Sequence, residues 1–156
     1  MSDSSTTKEA VTCAIRHIGT GVYSSGKIRI YLIRKGYSDG VAIEAVQHLI
    51  ATGYIDDKRA SRKVLAARTG KKQESRQYIY KRLLEAGISS DCAEEVVATL
   101  GNDTDTCTEL YEASFGNGFD EDYSVREDEF LKIAQLRGYS LETARSAFYR
   151  FLESNK

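Results

Sequence analysis

A chain of 156 residues, 41% apolar and 29% charged, holds enough apolar material for one ordinary domain or a short array of small units sharing a core, and excludes a disordered chain. The net charge is −1, and the complete absence of proline and the lack of any sustained apolar/polar alternation between turn residues predict an all-α fold. The N-terminus MSDSSTTKEA lacks an apolar signal core and no apolar run approaches membrane length, so the expected setting is cytoplasmic, without membrane association.

In chain order, residues 1–6 read as a disordered tail. The first predicted helix runs from about Lys8 to Ile18, with Ala10 or Val11, Ala14 or Ile15, and Ile18 facing inward, and it stops at Gly19-Thr20-Gly21. Helices over 24–35 and 39–51 follow, completing a three-helix repeat over 7–55. Gly53 breaks the chain, Asp56 is the expected N-cap of a helix reaching about Thr69, and a pair over 73–86 and 90–100 closes a second repeat over 56–101. The third repeat, 102–156, holds a helix from Asp103 to about Ser114, an acidic linker from Gly116 to Tyr123, and helices over 125–137 and 141–153.

This division rests on an internal repeat. Gly36, Gly87 and Gly138 stand 51 residues apart and open the phrases Gly36-Tyr37-Ser38, Gly87-Ile88-Ser89 and Gly138-Tyr139-Ser140. Ile28, Ile79 and Phe130 precede them in register, while Ala42, Ala93 and Ala144, then Val46, Val97 and Phe148, then Leu49, Leu100 and Phe151 follow. The phrase encodes a helix-turn-helix. Glycine supplies the left-handed cap, the next large apolar residue folds back onto the helix, and serine N-caps the following one. Acidic residues in the next first turn, Asp39, Asp91 and Glu142, complement the helix dipole. The predicted architecture is three tandem three-helix repeats, each too small to bury its own core fully.

Catalytic signals are thin. Cys13, Cys92 and Cys107 are scattered and form no C-x-x-C pair, so they read as reduced thiols, with neither disulfide nor metal site expected. Gly21-Val22-Tyr23-Ser24-Ser25-Gly26-Lys27 has phosphate-loop spacing, but Ile28 stands where Ser or Thr should hold magnesium, and a helix rather than a strand leads in. His17 and His48 are isolated and read as packed or surface imidazoles. The chain is therefore read as a non-enzyme without a cofactor.

Charge falls in blocks. Residues 56–86 hold ten Lys or Arg against four Asp or Glu, whereas residues 87–129 hold one against thirteen. On the helix after Asp56, the residues Arg59, Arg62 and Lys63 share a face opposite Ala60, Val64 and Ala67. Arg68 and the turn Lys71-Lys72 add cations, and with Ile79 and Leu83 inward, Tyr78, Lys81 and Arg82 are expected on the outer side. Arg76 belongs to the same candidate surface but falls partly inward. Such a surface suits a nucleic-acid backbone, single- or double-stranded DNA included, or an acidic protein groove. A helical nucleic-acid-binding module is the alternative reading. Asp56 is assigned to capping and Tyr54 to packing.

The sequence resembles the RecX family of bacterial recombinase regulators from about Ala14 onward. The resemblance is carried by Gly53-Tyr54-Ile55-Asp56-Asp57 with Arg59, then Arg68, Gly70-Lys71, Leu83 and Gly87-Ile88, and by Leu136-Arg137-Gly138-Tyr139-Ser140. It departs at Ala60 and Ser61, where the family has Phe and Ala, so a neighbour must fill the space. The resemblance implies a curved, elongated all-helical array, acting as a monomer that lies in the groove of the RecA filament. There it would restrain strand exchange, ATP hydrolysis and co-protease signalling, and so DNA repair and the SOS response, without chemistry of its own.

Overall fold

The computed structural model describes residues 3–116 and 123–154. Every regular element among them is helical: α1 (Asp3–Ile18), α2 (Ser25–Arg34), α3 (Asp39–Ala51), α4 (Asp57–Ala66), a short 3-10 turn (Gly70–Lys72), α5 (Arg76–Glu85), α6 (Ser90–Ala98), α7 (Asp103–Phe115), α8 (Tyr123–Leu136) and α9 (Leu141–Ser154). None is long and apolar enough to cross a membrane. Residues 1–2 of the expected tail and most of the expected acidic linker lie outside the described residues.

The thrice-copied phrase folds as its residues dictate. Gly36, Gly87 and Gly138 have φ of 101°, 86° and 88°. The amides of Tyr37, Ile88 and Tyr139 reach back to the carbonyls of Leu32, Leu83 and Ala134 at 3.2, 3.0 and 3.0 Å, closing a Schellman turn each time. Ser38, Ser89 and Ser140 then accept the amides of Val41, Cys92 and Thr143 at 3.2, 3.3 and 3.1 Å.

Three boundaries differ from expectation. Helix α1 begins at Asp3, so residues 3–6 are helical rather than a loose tail: no glycine or proline intervenes, and the Thr7 hydroxyl donates to Glu44 Oε2 at 3.0 Å, tying this end to α3. Helix α4 ends at Ala66, and α5 starts only at Arg76. Between them Gln73, Glu74 and Ser75 are buried, and the Ser75 amide donates to the Arg137 carbonyl at 3.0 Å, a bond outside any helix ladder.

The chain forms two compact units, Met1–Val64 with Leu83–Val96 and Leu65–Arg82 with Val97–Lys156, so the middle three helices are divided between them. In the first unit α1 packs on α2 and α3. Its core includes Ala10, Ala14, Ile18, Ile28, Leu32, Ala42 and Leu49. In the second unit α7 and α8 pack on α9 around Leu110, Tyr111, Phe130, Phe148 and Phe151. Tyr111 meets Phe130 edge-on at 5.0 Å and Phe148 at 5.6 Å. Burial in this core pushes the Cys107 thiol up to about 12, which keeps it protonated and unreactive near neutrality. Ten of the twelve repeat-register positions are buried; Val97 and Leu100 are only half-buried. Tyr54 is 47% exposed and does not pack inward, because the turn at Gly53 (φ 86°) sends Ile55 into the core in its place.

Within each unit the start of a middle helix is fastened to the turn of the next repeat. In the first, Ser24 N-caps α2 and its hydroxyl donates to the Ala86 carbonyl at 2.7 Å, while the Gly26 amide donates to the Gly87 carbonyl at 2.8 Å. A Cβ on Gly26 would lie 2.7 Å from that carbonyl oxygen, so glycine serves close backbone approach here, and the amide a phosphate loop would present is already taken. In the second unit, 51 residues on, Ser75 caps α5 and bonds the Arg137 carbonyl, and the Tyr78 ring lies over Gly138.

An aspartate locks each fastening. Asp57 Oδ1 accepts the Ser25 amide at 2.7 Å, and Oδ2 accepts the Ser25 hydroxyl at 2.7 Å and the Ser89 amide at 3.0 Å. One carboxylate thereby holds the starts of α2 and α6. In the second unit Asp103 accepts the Arg76 amide at 2.9 Å. Asp57→Ala leaves two amides without their acceptor and is expected to lower stability by about 2–3 kcal/mol, read as a shift of the urea unfolding midpoint. An exposed control such as Glu94→Ala should move it by roughly 0.5 kcal/mol or less.

Candidate partner-binding surface

Helix α4 presents its cations because Asp56 fixes where it starts: the Asp56 carboxylate accepts the Arg59 amide at 3.2 Å. With that cap set, Arg59, Arg62 and Lys63 are exposed, Val64 and Ala60 are half-buried, and Ser61 is buried with its hydroxyl donating to the Lys58 carbonyl at 2.6 Å. The three cations line a groove of about 830 Å³ in the first unit, together with Lys27. Sequence reasoning missed Lys27, which it treated only as part of the false phosphate loop. Ala60 lies in the groove lining, so the space expected to need filling stays open.

In the second unit Lys71 and Lys72 are exposed on the 3-10 turn, and Lys81 is exposed on α5. The remaining candidates have structural partners. Arg76 donates through Nε to the Gly101 carbonyl at 3.1 Å and through Nη2 to the Leu100 carbonyl, so it terminates the segment after α6. Tyr78 is half-buried over Gly138. Arg68 Nε lies 3.2 Å from Glu74 Oε1, and Arg82 Nη2 lies 3.4 Å from Glu74 Oε2. Arg82 was expected on the outer side; it turns toward Glu74 because that carboxylate is 1% exposed and needs compensation.

Ten cationic or aromatic candidates thus resolve into an exposed set, Arg59, Arg62, Lys63, Lys71, Lys72 and Lys81, and a structural set, Arg68, Arg76, Tyr78 and Arg82. Glu74 itself carried no signal, since one acidic residue in a basic block reads as a solvated charge.

No family model matches the chain. The Regulatory protein RecX of Prosthecochloris aestuarii is 32% identical over 97 residues, which is 62% of this chain and 64% of that protein, so less than two thirds of the relative's length is matched. The crystal structure of RecX from Lactobacillus salivarius has a TM-score of 0.69 over 97% of both chains at 12% identity, a likeness of fold.

Proposed function

We infer that this chain, RecX-like in sequence and in fold, is a regulatory protein of the RecX family that binds the RecA recombinase filament. It restrains recombinase, ATPase and co-protease activity, and through them DNA repair and the SOS response, in the cytoplasm and without chemistry of its own. The observation that carries this reading is the sequence match to a protein named as a regulatory RecX, shared with the fold of a second RecX. The exposed cations support it, because a nucleoprotein filament is polyanionic and long-range attraction raises encounter rates.

Added to RecA on single-stranded DNA, the protein should slow ATP turnover; unchanged turnover at stoichiometric excess would remove the reading. Charge reversal at Lys71 and Lys72 should weaken filament binding about tenfold, roughly 1.4 kcal/mol, with the melting temperature unchanged because both side chains are exposed. Equal affinity of the double variant would acquit that turn. Tight binding to naked duplex DNA, with a log–log salt slope of about −3.6 for four phosphate contacts and no need for the filament, would favour a nucleic-acid module instead.

A further inference from the structure

We propose that the groove beside α4 in the first unit is a docking site for an acidic peptide segment that carries an apolar side chain, presented by the protein partner. The proposal rests on the reading above for who presents the segment, and goes beyond it in assigning a site and a ligand chemistry.

Charge and floor together specify the occupant. Arg59, Arg62 and Lys63 from α4 and Lys27 from α2 line the groove, and no carboxylate does. The side chains of all four make no ion pair or hydrogen bond among the described residues. Four uncompensated like charges around one groove repel each other, and an anionic ligand relieves that repulsion. Between the cations the surface is apolar: Val22 is 42% exposed, and Ala60 and Val64 are half-buried beside it. A phosphate backbone has nothing to place on such a floor, whereas a peptide carrying one large apolar side chain among acidic residues satisfies both parts.

Bases splayed from a single strand would need an open ring to stack on. The aromatic residue lining the groove is Tyr23, half-buried against Gly21, where a Cβ would lie 2.9 Å from its ring, and 5.1 Å from the His17 ring. The ring is engaged by its own unit, which favours the peptide.

The test uses the full chain and a short fluorescein-labelled peptide of Asp and Glu around a single Phe, read by fluorescence anisotropy. Saturable binding is expected. Arg62→Glu with Lys63→Glu should weaken it about tenfold, and so should Ala60→Phe, which fills the floor, or replacing the peptide's Phe by Gly. Val22→Ser, a neutral change at a position 42% exposed, supplies the same test of the floor if Ala60→Phe disturbs the fold. No binding of the peptide, or binding indifferent to Val22→Ser, overturns the proposal. So does a labelled oligothymidylate that binds where the peptide fails and responds to the same variants. Slowing of the RecA ATPase that survives every groove variant keeps the proposed function and removes the groove. Groove-dependent peptide binding by a chain that leaves the filament untouched keeps the site and removes the proposed function.

Discussion

Arg68→Ala combined with Arg82→Ala is expected to lower stability by about 4 kcal/mol, and adding Glu74→Met should restore most of that loss. Glu74 is 1% exposed, while Arg68 and Arg82 are 28% and 35% exposed at the side chain. The cost of removing the arginines therefore lies chiefly in the carboxylate left behind. Either arginine alone still neutralises it, so each single variant should lose only about 1 kcal/mol and the pair more than the sum. Geometry sets the direction of the rescue. Arg68 Nε and Glu74 Oε1 are close, yet neither has an aligned hydrogen bond, so the attraction is mainly coulombic. Imperfectly bonded buried charges are the kind that apolar replacement tolerates. Urea unfolding of the four variants measures the cycle; additive losses without rescue would show that the arginines act elsewhere. The result also bears on tests of the proposed function, since any loss of partner binding in the double variant would then follow unfolding rather than a lost contact.

The repeat was legible because its determinants are local. Gly36, Gly87 and Gly138 impose a backbone turn, and the serine two positions later imposes the next helix start, whatever else the chain does. The inward register of Ile28, Ile79 and Phe130 follows from the same period. Asp56 was legible for a similar reason: a cap acts within three residues. Asp57 was not, because Ser25 and Ser89 each lie 32 residues away and no periodicity links them. Glu74 was hidden between the 3-10 turn and α5, where the Ser75 cap on the Tyr78 amide and the long-range bonds from Ser75 to Arg137 and from Arg76 to Asp103 set a fresh helix start that no local signal announces. The basic block announced a cationic surface but could not say which cations face buried acceptors. That division depends on Glu74, Gly101 and Leu100, which come close only on folding. Lys27 was discounted with the phosphate loop, although the capping that invalidates the loop also sets the lysine at the groove.

Gly87→Ala is expected to destabilise by about 3–4 kcal/mol, against about 1–2 kcal/mol for Gly36→Ala, although the two glycines occupy the same place in the repeat phrase. Both have left-handed φ, 86° and 101°, so both variants carry the penalty of an L side chain in that region. The difference is what the new methyl meets. At Gly36 nothing lies within 4 Å, whereas at Gly87 the Ser24 Oγ would lie at 2.4 Å and the Lys27 backbone nitrogen at 2.9 Å. Ser24 could rotate away only by giving up its bond to the Ala86 carbonyl, and the backbone of α2 cannot yield without loosening the Gly26 to Gly87 hydrogen bond. Gly36 lies in the first copy of the phrase, with no earlier repeat to fasten, so sequence period and steric demand separate there. Thermal melts of the two variants test the ranking, and equal losses would mean that φ alone governs these positions. Ser24, Lys27 and Ala86 also line the groove beside α4. Gly87→Ala should therefore weaken acidic-peptide binding at temperatures where the variant remains folded, and Gly36→Ala should leave it intact.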